Sequence, residues 1–163
     1  MAATPAITAL ERAGISHRVH RYAHDPRTGR YGDEAVAALA TESGVVAAQV
    51  FKTLVLALTG GLGGLAVAVL PVPERLSPKA AAAAFGASKA GLAEAKAVTR
   101  VTGYVLGGVS PVGQRTRLPT VVDSSAQDWP VVLCSAGRRG LELELAPADL
   151  VAATAAVVAD ITA

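Results

Sequence analysis

Lys52 lies inside the run "QVFKTLVLAL", Gln49 to Leu58, where most of its neighbours are apolar. Side chains alternate across a strand, so Val50, Lys52, Leu54, Leu56 and Leu58 share one face and Phe51, Thr53, Val55 and Ala57 the other. Both faces are apolar apart from Lys52 and Thr53, and such a strand is covered on both sides. A buried, unpaired ammonium costs roughly 2–7 kcal/mol or more unless it finds a partner or loses its proton. A structural ion pair could offset that cost. So could a cleft that needs a positive donor at its base.

The other candidates are weaker. His17, His20 and His24 fall close together beside Asp25. His17 and His20 are three apart, so on a strand they point to opposite faces, and a shared metal ion would require a bulge. Loop hydrogen bonding is the simpler reading of His24 and Asp25. Cys134, in "VVLCSAG", reads as core packing before it reads as a nucleophile. Ser110, in "GGVSPVG", lacks the strand-to-helix turn of a nucleophile elbow. The segment "GYVLGGVSPVGQRTRLP" is the most unusual in the chain. Gly107, Gly108 and Gly113 permit sharp turns or close approach to a ligand, while Pro111 and Pro119 stiffen the backbone. Exposed N–H groups there could bind a carbonyl oxygen or a phosphate, and an ordinary bulged edge strand fits the same residues. Arg115 and Arg117, two apart, could meet phosphates or simply solvate an edge.

The elements that position these residues can be read from caps and periodicity. Thr4 and Pro5 open a helix that Gly14 stops. Ile15–Tyr22 reads as a strand, "HDPRTGRYG" as a loop, and Asp33 as the start of a second helix with Val36 and Leu39 facing in. The uncharged run from Thr53 to Pro73 has the length of a membrane span, but "GGLGG" at its centre makes it two strands joined by a glycine turn. No helix follows those glycines, so they do not form a dinucleotide loop. Ser77 and Pro78 start a helix ended by Gly86, and another short helix stops at Gly103. A strand broken by glycines and prolines is expected after it, then a short strand at Val121–Asp123 and a hairpin around Gly137. Pro147 opens a last helix whose apolar face includes Leu150, Val151, Val157 and Val158. The pattern argues for an α+β fold with a mixed or antiparallel sheet.

Composition sets the outer limits. An apolar fraction of 52% against 17% charged indicates a globular chain with a charge-poor surface. The length suits one domain, residues 1–163. A net charge of +2 permits contact with a phosphate backbone without arguing for it. One cysteine excludes an intrachain disulfide and points to a reducing compartment. No basic segment leads into an apolar one at the N-terminus, so no signal peptide is expected.

Taken in order, "HRYAHDP", "YGDEAVAAL", "VFKTLVL", "LAVAVLPV", "TGYVLGGVSPVGQRTRLPTVVD" and "GRRGLELELAPADL" resemble the YbaK branch of the YbaK/ProX aminoacyl-tRNA editing-domain family, the Cys-tRNA(Pro) deacylases. The resemblance spans nearly the whole chain, and the segment from Thr102 to Asp123 is its most specific part. It implies a single compact α+β domain with a mixed, barrel-like sheet flanked by helices. It implies release of cysteine mischarged on proline tRNA, without a cofactor, in the cytoplasm and away from membranes. It also implies a transient complex with prolyl-tRNA synthetase for tRNA choice, with a monomer plausible. The family's essential lysine falls on Lys52, with Thr53 beside it. Its tyrosine in "HTYxHDP" falls on Tyr22, the aromatic before "GDE" on Tyr31, and its backbone site on Gly107, with Gly108 and Ser110 adjacent. Its "SGGKRG" segment places Ser135, Gly137 and Arg139. Lys52, Gly107 and Gly108 would then be catalytic and the others would bind substrate.

Three departures bear on fine specificity: Ala136 replaces a glycine, which could narrow the pocket, and Arg115 and Arg138 stand where lysines are common. The family is thought to let the substrate's sulfur attack its own ester carbonyl and expel the tRNA as a cyclic thioester forms. Thiol reactivity can separate cysteine from serine, which fits the same space but is the poorer nucleophile. Two other functions fit the residues less well. One is an editing domain that clears another small residue, such as alanine, with an activated water. The other is a non-catalytic module binding a tRNA end or a nucleotide.

Overall fold

Helix α1 (Pro5–Arg12) begins where the Thr4–Pro5 pair predicts, with the Thr4 side chain accepting a hydrogen bond from the N–H of Ile7. The Thr4 hydroxyl also donates to the carbonyl of Ala136, tying the helix start to the far end of the chain. The computed structural model describes residues 3–25, 27 and 29–163. Positions 26 and 28 of the expected loop "HDPRTGRYG" lie outside the described residues.

The remaining α-helices and strands are β1 (Arg18–Arg21), α2 (Tyr31–Ser43), β2 (Phe51–Thr59), β3 (Gly64–Pro71), α3 (Pro78–Ala84), β4 (Lys89–Leu92), α4 (Ala95–Thr102), β5 (Thr120–Asp123), β6 (Val132–Ser135), β7 (Leu141–Leu145), α5 (Pro147–Thr154) and β8 (Val157–Ala159). Five strands form one sheet in the order β4-β2-β3-β5-β8, and three form another in the order β1-β7-β6. The first sheet is mixed: β2 pairs antiparallel with β3 and β4, while β3–β5 and β5–β8 are parallel. The α+β class holds. The expected barrel-like closure does not: both sheets stay open, and a parallel bridge between Val50 and Leu133 links them.

The β2–β3 hairpin confirms the reading of the uncharged run, with Gly60, Gly61, Gly63 and Gly64 all at positive φ in the turn. Strand β2 is covered on both faces, as its composition demands. Phe51 and Val55 join the main core, built with α1, β6 and β7, while Leu56 enters a second cluster with Leu70, Ala81 and Ile161.

Three further expectations fail for identifiable reasons. The segment after Gly103 is a loop as far as Pro119, not a broken strand, because its polar groups are satisfied locally rather than by a ladder. The last helix ends at Thr154, because Ala155 takes a left-handed conformation (φ 52°) and turns the chain into β8, so Val157 and Val158 belong to a strand. Helix α2 starts at Tyr31, two residues before Asp33, which sits in its first turn.

Candidate active site

Five separate segments converge on a cleft of about 470 Å³. The end of β1 brings Tyr22, the start of α2 brings Tyr31 and Asp33, and β2 brings Lys52 and Thr53. The loop after α4 brings Gly107, and the β6–β7 hairpin brings Ser135 and Glu142. Residues far apart in sequence meet here because β7 is the central strand of its sheet, with β1 on one side and β6 on the other.

Lys52 has no carboxylate within ion-pair distance among the described residues. Its ammonium donates instead to the carbonyls of Val72 and Glu74, just beyond β3. Partial burial pushes its pKa down; the charges of Asp33 and Glu74 oppose that shift and Arg75 adds to it. Main-chain acceptors and distant carboxylates therefore keep a half-buried cation in place while it still borders the cleft, a third way of offsetting the burial cost that neither sequence-based alternative included.

The loop 104–119 is held by its own bonds. The Tyr104 hydroxyl donates to the carbonyl of Val112, at 2.7 Å, and Gln114 Nε2 donates to the carbonyl of Ser110. Ser110 is fully buried, and its Oγ accepts from the N–H of Val112. Gly107 lies at the wall of the cleft with φ +86°; a Cβ there would sit 2.6 Å from Arg139 Nε and 2.9 Å from the Tyr31 ring. The N–H of Gly108 is engaged by the carbonyl of Val105, and a Cβ on Gly108 would press on the backbone of Arg138.

Arg139 stacks its guanidinium over the Tyr31 ring at 4.2 Å and donates to the Tyr31 hydroxyl and to the carbonyl of Leu106. It thereby fixes one aromatic wall and the glycine loop together. Gly137 donates its N–H to Ser135 Oγ and packs against Tyr104. Of the ten residues singled out by sequence, Tyr22, Tyr31, Lys52, Thr53, Gly107 and Ser135 border the cleft, while Gly108, Ser110, Gly137 and Arg139 are not part of its lining. Ala136 is buried in the main core rather than at the cleft, so it does not narrow the pocket.

Cys134 is fully buried, and burial, with Glu142 adding to it, pushes its thiol pKa far up. Two of the histidines are engaged elsewhere: His17 Nδ1 meets the carbonyl of Ile15, and His20 meets Glu144.

Sequence reasoning missed Glu142. The alternation of "LELEL" aims Glu142 away from the core leucines and so toward water. The cleft side of β7 is covered instead, and Glu142 is 6% exposed. Burial pushes its carboxyl up to about 8, and one carboxyl oxygen, Oε2, has no hydrogen-bond partner. Thr53 Oγ1 is likewise buried without a partner. Burial also pushes the Tyr22 hydroxyl up to about 12, with Glu142 as the second cause.

The chain is similar to known proteins in both sequence and fold. A model of the aminoacyl-tRNA editing domain matches residues 33–153. A protein of Enterococcus faecalis (strain ATCC 700802 / V583), EbsC, which carries the name of a Cys-tRNA(Pro)/Cys-tRNA(Cys) deacylase, is 36% identical over 124 residues, covering 76% of this chain and 74% of its own. A crystal structure described as a trans-editing enzyme for prolyl-tRNA synthetase superposes with a TM-score of 0.83 at 28% identity, over 100% of this chain and 99% of that one. A scaffold protein used for epitope backbone grafting superposes with a TM-score of 0.82 at 29% identity, over 98% of this chain and 95% of that one.

Proposed function

The chain belongs to the aminoacyl-tRNA editing-domain family, whose members act on the aminoacyl ester, and on that premise we propose that it releases cysteine from Cys-tRNA(Pro) by attack of the substrate's own thiol. The observation that carries this reading is the state of Cys134. The protein's one thiol is fully buried and held protonated, so it cannot serve as the nucleophile. Among the described residues bordering the cleft there is neither cysteine nor histidine. In the mechanism that the family resemblance implies, the reacting sulfur is the substrate's: its S–C bond to the ester carbonyl forms, the bond from that carbonyl to the tRNA oxygen breaks, and the thiol's proton ends on the released tRNA hydroxyl.

In this reading Lys52 binds the hydroxyls or phosphate of the terminal adenosine, using the N–H that Val72 and Glu74 leave free. Tyr22 and Tyr31 wall the adenosine or the amino acid, and the N–H of Gly107 polarises the ester carbonyl. Gly108, Ser110, Gly137 and Arg139 hold these groups in position. Prolyl-tRNA synthetase supplies the choice of tRNA in a transient complex, since a domain of net charge +2 has little electrostatic grip of its own on a tRNA body.

The test is a deacylation panel on proline tRNA charged with cysteine, serine, alanine or proline, using the wild type and Cys134→Ala. Cleavage of the cysteine ester alone, retained in Cys134→Ala, with early trapping of a cyclic thioester, is the expected result. Equal rates on cysteine and serine esters, or a folded but inactive Cys134→Ala, would overturn the mechanism. Faster cleavage of the alanine ester would favour an activated water.

A further inference from the structure

We propose that Glu142, assisted by the Thr53 hydroxyl, is the seat for the α-ammonium group of the esterified amino acid. The proposal rests on the functional reading above and assigns the cleft's second polar pole.

Glu142 enters the cleft from the middle of β7, where its register neighbours are His20 on β1 and Ser135 on β6. A central strand holds a side chain more firmly than a loop does. Its Oε2 is buried and unpartnered, an arrangement that folding alone disfavours. Neither His20 nor Lys52 nor Asp33 accounts for it. His20 is engaged with Glu144, and Lys52 with two carbonyls; Asp33, at the exposed start of α2, carries the same sign. Tyr22 and Cys134, the two other titratable groups that feel Glu142, are both held protonated and neutral. Burial raises the Glu142 carboxyl. Thr53, whose Oγ1 is the other orphaned atom, borders the same cleft from β2.

An aminoacyl ester on a tRNA end has two charged poles, a polyanionic nucleotide and a cationic amino group. The cleft matches both, with Lys52 for the first and Glu142 for the second. Docking an ammonium beside Glu142 stabilises the carboxylate, so the resting carboxyl gives up its proton as substrate binds. An ester whose nitrogen is acylated or missing leaves the carboxyl unpaired and is rejected, because leaving a buried polar group unsatisfied is what makes such sites selective.

The experiment compares Cys-tRNA(Pro) with 3-mercaptopropionyl-tRNA(Pro), which keeps thiol and ester but lacks the amino group. Wild type should cleave the cysteine ester roughly 30-fold faster or more, as expected for removing one partner of a buried charge pair. Glu142→Gln should lose that preference, the ratio of the cysteine rate to the mercaptopropionyl rate falling toward one. A preference preserved in the variant, or both esters slowed equally, overturns the proposal. A second measurement does not depend on turnover or on the variant. Calorimetry of wild type with amide-linked cysteinyl-adenosine, in buffers of different ionisation enthalpy near pH 7, should register proton release that the desamino compound does not cause. Equal affinity for the two compounds overturns the proposal. If the cysteine ester is not cleaved at all while the amide still binds with proton release, the functional reading fails and the ammonium seat stands.

Discussion

Replacing Lys52 with methionine separates charge from packing, because methionine keeps the apolar stem and removes the ammonium. The structural cost can be worked from its partners. Losing the ammonium strips a donor from two carbonyls, those of Val72 and Glu74. The Glu74 bond is exposed, so water replaces it. The Val72 bond is partly buried, and an unsatisfied group there costs about 1–3 kcal/mol. Relief of the ammonium's own desolvation acts in the opposite direction. The net loss should be about 1–2 kcal/mol. For a domain of this size each kcal/mol moves Tm by about 2–4 °C. Activity should fall much further, by roughly 10²–10³-fold, the usual consequence of removing one positioned electrostatic group from a reaction site. Thermal melts and single-turnover deacylation of Cys-tRNA(Pro) measure the two effects. Activity within tenfold of wild type would refute the site assignment, and failure to fold would identify Lys52 as a structural cation.

Three other outcomes are expected. Gly107→Ala should be both less stable and less active, because its φ of +86° and the 2.6 Å approach to Arg139 Nε force the Arg139–Tyr31 pair apart; a variant at wild-type activity would show that this pair does not position substrate. Arg139→Lys should not rescue Arg139→Ala in deacylation assays, since an ammonium cannot stack on Tyr31 while bonding both its hydroxyl and the Leu106 carbonyl. Glu142 has a folded pKa raised to about 8 from an ordinary value of 4.5, so the unfolded chain binds fewer protons between those limits. Its contribution is therefore favourable below about pH 4.5, is lost as pH rises through about 8, and changes no further above that. Urea melts should accordingly find the stability gap between Glu142→Gln and wild type widening in favour of the variant from pH 5 to pH 8; a constant gap would mean that the carboxyl is already ionised.

Local signals made part of this molecule legible. The Thr4–Pro5 and Ser77–Pro78 starts and the glycine turn of β2–β3 are fixed by nearest neighbours, and the structure reproduces them. Strands β4 and β8 were not legible, because a four-residue "KAGL" and a three-residue "VVA" are strands only by virtue of the edges they pair with. The loop 104–119 announced itself by its glycines and prolines but not by its conformation, which depends on Tyr104 finding the Val112 carbonyl. At the cleft, the suspicion attached to Lys52 came from its apolar neighbours. Glu142 raised none, because on a strand a buried acid and a solvated one obey the same alternation.

The pairing of β1 with β7 joins residues more than a hundred positions apart, His20 against Glu142 among them. Contacts of such long range delay folding, because the loop they close is entropically costly before any contact rewards it. The cleft takes Tyr22 from the near end of that loop, Lys52 and Gly107 from within it, and Glu142 from its far end. A nascent chain emerging from the ribosome therefore has no working site until the β6–β7 hairpin is out and docked. Partly made or nicked copies would hold loose halves of the cleft, and the activity would appear with the last cooperative step of assembly.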